Sequence, residues 1–131
     1  MSDLNLKPGQ VVTNRQLMDL FQCACEGGIR YSSGTDTIVL VNNLVKNLYP
    51  VEWKDGKLLF VGQKEKSSGM TRLNKRLIQF LNEKKDVYLF ESREAGKYEY
   101  KGKIYGSGEP RLEMMPDSGG LRWVFPLELS A

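Results

Sequence analysis

Apolar and polar positions along this chain recur in two rhythms, one helical and one of strands. Leu17, Leu20, Phe21 and Ala24 fall at helical spacing and mark one face of an amphipathic helix. Thr13 with Gln16 three positions later is a capping-box pattern at its start. Gly27-Gly28 supplies a stop, so the helix is expected over Asn14 to Cys25. A second helix is expected over Thr71 to Asn82, with Leu73, Leu77, Phe80 and Leu81 inward and Arg72, Lys75 and Arg76 towards solvent. Between and after these helices the rhythm changes. Thr37 to Val41 is a β-branched apolar run that reads as a buried strand, and Asp86 to Glu91 reads as another. Lys97 to Tyr105 alternates, as a strand with one buried face does. Leu121 to Leu129 closes the chain as a strand, with Pro126 expected at an edge or bulge. A short strand is expected at Gln10 to Val12. Asn42 to Leu48, Gln63 to Gly69 and Gly106 to Gly120 read as irregular connections. Helix, strands, helix and more strands make an α+β order. So many short strands predict a curled sheet or partial barrel.

Composition narrows the class. At 131 residues, 40% hydrophobic and 27% charged, the chain is expected to be a single globular domain over 1–131 with a core that needs no staples. No apolar run is long enough for a transmembrane helix. The start, MSDLNLKPGQ, lacks a signal-peptide layout, so a cytoplasmic protein is expected. Cys23 and Cys25 stand one residue apart, a spacing that suits neither a relaxed disulfide nor a redox pair, and both are expected to stay reduced. The chain has no histidine. That excludes Ser-His and Cys-His nucleophiles, His-ligated zinc and an HNH-type nuclease site within these residues. No cofactor or metal is called for. The net charge of +3 conceals an asymmetry. Lys54 to Lys85 holds nine basic residues against three acids, a surplus of six that the remainder partly cancels. Such a basic segment is the footprint of a polyanion partner or an ordinary solvated face.

The chemistry concentrates at Tyr49 to Gly62, YPVEWKDGKLLFVG. Asp55-Gly56 between two apolar runs is a strong hairpin signal, because both central residues of a type I′ turn need positive φ. The turn brings Tyr49 and the lone acid Glu52 back towards Phe60. Two rings and a carboxylate held together are either plain hairpin packing or a pocket for a flat, polar ring. Trp53, Tyr98, Tyr100 and Trp123 read as core or barrel wall. Arg30 and Ser32 stand in the connection before the first long strand, open to a turn role or to contact with phosphate. Glu52-Trp53-Lys54 and Glu99-Tyr100-Lys101 both match the E-x-K fragment of a nuclease site, but no suitably placed upstream acid is evident.

The motifs also follow a familiar order. GGIR-x-S at Gly27 to Ser32, TIVLV at Thr37 to Val41, Y-x-x-E-W-x-DG at Tyr49 to Gly56 and LLFVG at Leu58 to Gly62 come first. L-N-K-x-L at Leu73 to Leu77, VYLFE at Val87 to Glu91, Y-x-Y-x-G at Tyr98 to Gly102 and R-W-V-F-P-L at Arg122 to Leu127 follow. This order resembles an SRA (YDG-type) domain, in the form found at the N-terminus of McrA-like HNH restriction endonucleases, and covers roughly residues 25–129. The resemblance implies a PUA/SRA-like twisted, partly open β-barrel flanked by two main helices. It implies binding of double-stranded DNA carrying 5-methyl- or 5-hydroxymethylcytosine, with the base flipped between two aromatic rings and read by an acid. The matching positions are Tyr49, Glu52 and Phe60. Here Glu replaces the usual Asp, and Phe replaces the usual Tyr. The family's Gly-Asp-Gln after the second aromatic is absent from Gln63 to Met70. Around this pocket, DNA contacts are expected from Arg30, Ser32, Lys64, Lys66, Arg72, Lys75 and Arg76. A C-terminal nuclease domain beyond Ala131 would make the chain the reader of a modification-dependent restriction enzyme. The alternative is a PUA-like module for RNA or phosphorothioate DNA.

Overall fold

A computed structural model of the chain describes residues 6–22, 29–44, 52–54, 57–64, 72–115 and 120–129. Within them the order is β1 (Val11–Val12), α1 (Asn14–Phe21), β2 (Ile29–Ser32), β3 (Thr37–Asn43), β4 (Glu52–Lys54), β5 (Lys57–Lys64), α2 (Arg72–Asn82), β6 (Val87–Glu94), β7 (Lys97–Gly106), β8 (Arg111–Met115) and β9 (Gly120–Leu129). The sheet runs β2-β3-β6-β7-β9-β5-β4, with β1 added on β7 and β8 on β9. This is the expected α+β, partly open barrel flanked by two helices.

The two central strands explain the continuous apolar runs. β3 and β6 pair in parallel, from Ile38 opposite Val87 to Asn43 opposite Ser92. Both of their faces are covered, so alternate residues enter different cores. Ile38, Leu40, Val87 and Leu89 join Leu77 and Phe80 of α2, Leu58 and Phe60 of β5, and Phe125 and Leu127 of β9. Val39, Val41, Tyr88 and Phe90 face the other way, onto Leu17 and Phe21 of α1 and Tyr98 and Tyr100 of β7. The second core is aromatic. Phe21 meets Phe90 edge-on at 5.8 Å between centroids, and Phe90 meets Tyr100 at 5.1 Å.

β7 turns the sheet. It pairs with β6 as far as Lys103 and with β9 from Ile104 onward. Just before this handover the register skips Lys101, because Leu89 faces Gly102 while Phe90 faces Tyr100. Gly102 takes φ +126°, which a side chain rarely adopts. The bulge bends the strand and re-aims the extra residue, Lys101.

The local signals around α1 are realised. Thr13 Oγ1 accepts from the Gln16 amide at 3.1 Å, and the Gln16 side chain returns to the Thr13 amide at 2.9 Å. The described helix is shorter than expected. It ends at Phe21, where Gln22 adopts the left-handed conformation (φ 52°) and its amide bonds to Met18. Leu20, expected inside, is 42% exposed. Cys23, Ala24, Cys25 and the glycine stop lie outside the described residues, as do the Asp55-Gly56 turn and most of the loop after Lys64.

Three expectations need correction. β3 extends through Asn42 and Asn43, which were read as loop, and Asn42 is fully buried. The connection after Gly106 contains strand β8, whose residues 111–114 are all exposed. Arg111-Leu112-Glu113-Met114 does alternate, but the run is short and its apolar residues stay exposed, Leu112 at 45% and Met114 at 70%. Pro126 lies on an interior strand rather than at an edge, facing Leu59 of β5. On the opposite side of β9, pairing with β8 stops at Val124 and pairing with β7 starts at Leu127, so Pro126 occupies the gap where a ladder N–H is not needed. Its carbonyl accepts from Ser107 at 2.9 Å.

The two-core arrangement predicts contrasting costs on α1 and β6. Phe90→Ala empties a fully buried site and is expected to destabilise the chain by about 3–5 kcal/mol. Leu20→Ala is expected to cost no more than about 0.5 kcal/mol, as a surface change does. Denaturant unfolding followed by circular dichroism measures both.

Candidate nucleic-acid interface

The hairpin singled out from sequence forms. Lys54 pairs with Lys57, Trp53 with Leu58 and Glu52 with Leu59. Phe60 is 2% exposed and pairs with Phe125 of β9. Its ring therefore belongs to the larger core, on the barrel's inner side. Glu52 is the first residue of β4, and Phe60 lies one register step beyond its partner Leu59. Tyr49 and Lys66 lie outside the described residues.

The basic residues divide. Arg72, Lys75 and Arg76 share one stripe of α2 at helical spacing. Lys75 is exposed. The Arg76 guanidinium sits 4.2 Å from the centroid of the Tyr31 ring, which itself meets Phe80 edge-on. Lys64 is placed in β5 opposite Arg122. Arg30 and Ser32 are not in a loop. They belong to β2 and are 4% and 1% exposed. Arg30 Nη1 donates to Asn14 Oδ1 at 2.8 Å, and its guanidinium lies 5.7 Å from the Tyr98 ring centroid. Ser32 Oγ accepts from the Thr35 amide. Both are engaged inside the fold. An Arg beside a Ser in a polar stretch looks like surface in the sequence, and only the pairing with β3 and the cover from α1 bury it.

Sequence reasoning missed one polar centre altogether. Glu91 ends the apolar run VYLFE and is 1% exposed. Its Oε2 accepts from Trp53 Nε1 at 2.6 Å and from Asn42 Nδ2 at 3.1 Å. Its Oε1 faces Arg93 Nη2 at 3.2 Å and Lys101 Nζ at 3.9 Å. The signal available was an acid at the end of a run too apolar to surface. Glu91 also stands opposite Glu99 across the β6–β7 ladder, with Lys101 3.6 Å from Glu99. That supplies the acid the E-x-K fragment lacked. Yet the Glu91 oxygens accept from three donors, Trp53, Asn42 and Arg93, and face Lys101 as an ion pair, as a buried carboxylate requires. Among the described residues no three potential metal ligands come together. The cluster is a structural pin.

Nearby chemistry is subdued. Burial raises the Tyr88 and Tyr100 phenols above their usual pKa, so both stay protonated hydrogen-bonding groups. A cleft of about 380 Å³ opens at the end of α2 beside Phe80, Lys84, Lys85, Lys103 and Tyr105. Its charge is largely cancelled, because Lys85 lies 3.4 Å from Asp36 and Lys103 lies 2.8 Å from Asp86. No described helix is long and apolar enough to cross a membrane.

No protein-family model and no curated protein matches this sequence. Solved structures do. The SRA domain of SUVH5 bound to hemi-methylated CG DNA matches with a TM-score of 0.75 at 19% identity, over 98% of this chain and 92% of that one. The same domain bound to fully hydroxymethylated CG DNA matches at 0.72 and 17% identity, with the same coverage. The DNA modification-dependent restriction endonuclease AspBHI matches at 0.66 and 14% identity, over 86% of this chain and 36% of its own. The sulfur-binding and SRA domains of ScoMcrA, complexed with phosphorothioated DNA, match at 0.72 and 11% identity, over 96% and 40%. The chain thus spans almost all of the SUVH5 domain but less than half of the AspBHI and ScoMcrA chains. Its open barrel, its two flanking helices and these likenesses agree: this chain has the fold of an SRA domain.

Proposed function

We propose that this chain binds double-stranded DNA containing a C5-modified cytosine, 5-methyl or 5-hydroxymethyl, by flipping the base into a pocket at the β4–β5 hairpin. What supports the reading is that Glu52 and Phe60 lie on the paired strands β4 and β5 of an SRA fold, with Tyr49 three positions before Glu52 in the sequence. Tyr49 and Phe60 stack on the two faces of the base, and Glu52 accepts from the exocyclic N4 amine that identifies cytosine. Extrusion costs a few kcal/mol, while stacking on aromatic side chains returns about 1–3 kcal/mol per base. The two nearly balance, so phosphate contacts decide whether the complex forms. Lys75 and Arg76 on α2 provide them, joined by Arg72, Lys64 and Lys66 of the same basic segment. A bare methyl in an apolar niche contributes only about 0.8 kcal/mol, roughly a fourfold preference. Stronger discrimination requires the site to penalise an empty niche.

The biological setting follows from the same reading. The chain acts as the cytoplasmic reader module of a modification-dependent restriction endonuclease, with cleavage supplied by a separate nuclease domain. Recognition by this chain consumes no cofactor and performs no chemistry. The ScoMcrA match names one other ligand, phosphorothioated DNA, which belongs in the same binding series together with RNA.

Fluorescence anisotropy with duplexes that differ only at cytosine C5 tests the reading. The modified duplex is expected to bind more tightly than the plain one. Equal affinity across the series, or a preference for RNA or phosphorothioate backbone, overturns it. Glu52→Ala is expected to weaken binding to the modified duplex by about tenfold, the scale of one hydrogen bond to a charged group, and to affect plain duplex less. Lys75→Ala and Arg76→Ala are expected to weaken both duplexes alike, each flattening the slope of log affinity against log salt by about one unit.

A further inference from the structure

Among the described residues strand β4 stands last in the sheet order and is paired in the ladder with β5 alone. Three strands, β7, β9 and β5, separate it from β6 in the sheet order. Trp53 of β4 nevertheless donates its indole N–H to Glu91 of β6 at 2.6 Å. The bond therefore crosses the interior of the curled sheet and joins its far end to its middle. The same carboxylate oxygen accepts from Asn42 near the end of β3, so β3 and β4 are referred to one atom. The other oxygen is held by Arg93 and faces Lys101, the residue that the β7 bulge turns inward.

We propose that Glu91 is a positioning residue for modified-base recognition, acting through Trp53 to hold β4 and its first residue, Glu52, in place. This rests on the reading of Glu52 given above. Among the described residues β4 contributes three ladder pairs, all to β5. A short, charge-assisted bond to a fully buried carboxylate fixes β4 strongly, because the buried charge cannot exchange its donor for water. The adjacent position on the strand is Glu52, whose task demands placement within about half an ångström. Glu91 itself stays in the core and touches no DNA. It sets where the reading carboxylate stands.

Trp53→Phe tests this, since it keeps an aromatic body and deletes the one N–H donor. The variant is expected to unfold cooperatively and to keep the wild-type salt slope. Its ratio of affinities for modified and plain duplex is expected to fall about tenfold, the effect of losing one charge-assisted bond. Glu52→Ala combined with Trp53→Phe is expected to lose no more than Glu52→Ala alone, because both act on the same carboxylate. A Trp53→Phe ratio equal to wild type, or losses that add in the double variant, overturns the proposal. A wild-type protein that does not distinguish the duplexes overturns the base-reading function itself, which is a different and recognisable result. A second measurement needs no variant of Trp53. The indole proton of Trp53, assigned by its persistence in Trp123→Phe, is expected to be protected from solvent exchange in nuclear magnetic resonance spectra. A freely exchanging indole there also overturns the proposal.

Discussion

One buried carboxylate links strands that the sheet ladder keeps apart. A sheet that curls far enough to bring β4 over β6 leaves a seam without ladder hydrogen bonds, and hydrophobic contact alone does not fix the offset of two unpaired strands. Glu91 supplies the missing directional constraint, with donors from β3, β4, its own strand and β7 converging on its two oxygens. An isolated charge in this position would be very costly, and it is tolerated because Trp53, Asn42 and Arg93 donate to it and Lys101 lies 3.9 Å away. The cluster gives the interior one preferred arrangement where an all-apolar seam would accept several.

The rest of the molecule is organised around that closure. The parallel pair β3 and β6 forms a spine with both faces buried. α2 seals the face towards the hairpin, and α1 seals the other through an aromatic layer. β7 bends at Gly102 and passes from one half of the sheet to the other, and the bulge that bends it also delivers Lys101 to the Glu91 cluster. The hairpin proposed to read the base lies at the far end of this path. Its geometry is thus set by the core across the barrel as much as by its own turn.

Much of this was legible in the sequence where a local rule and the tertiary environment agree. Ile38 to Val41 and Val87 to Phe90 run without a charged residue because both faces of those strands are covered. Thr13 and Gln16 cap their helix by contacts that span three residues. Legibility failed where the deciding contact is distant. Arg30 and Ser32 read as surface because nothing local shows that α1 and β3 cover them. Leu20 fits the helical stripe, but the aromatic layer is filled by Leu17 and Phe21 and leaves it outside. β8 alternates over only four residues, Arg111 to Met114, inside a stretch rich in glycine and proline. Glu91 was invisible as a centre because its partners lie up to 49 positions away along the chain. For the candidate site, motif order selected Tyr49, Glu52 and Phe60, and the structure adds the burial of Phe60, the register of Glu52 and the anchor behind it.

The central claim is that this barrel receives a modified cytosine at the β4–β5 hairpin. The structure of the chain bound to a duplex with a single 5-methylcytosine tests it most directly. The account predicts the base swung out of the helix, one face against Phe60 and the other against Tyr49, with the Glu52 carboxylate within hydrogen-bonding distance of N4 and the Trp53–Glu91 bond intact behind it. A 5-methylcytosine still stacked in the duplex, or a base seated away from this hairpin, would contradict it.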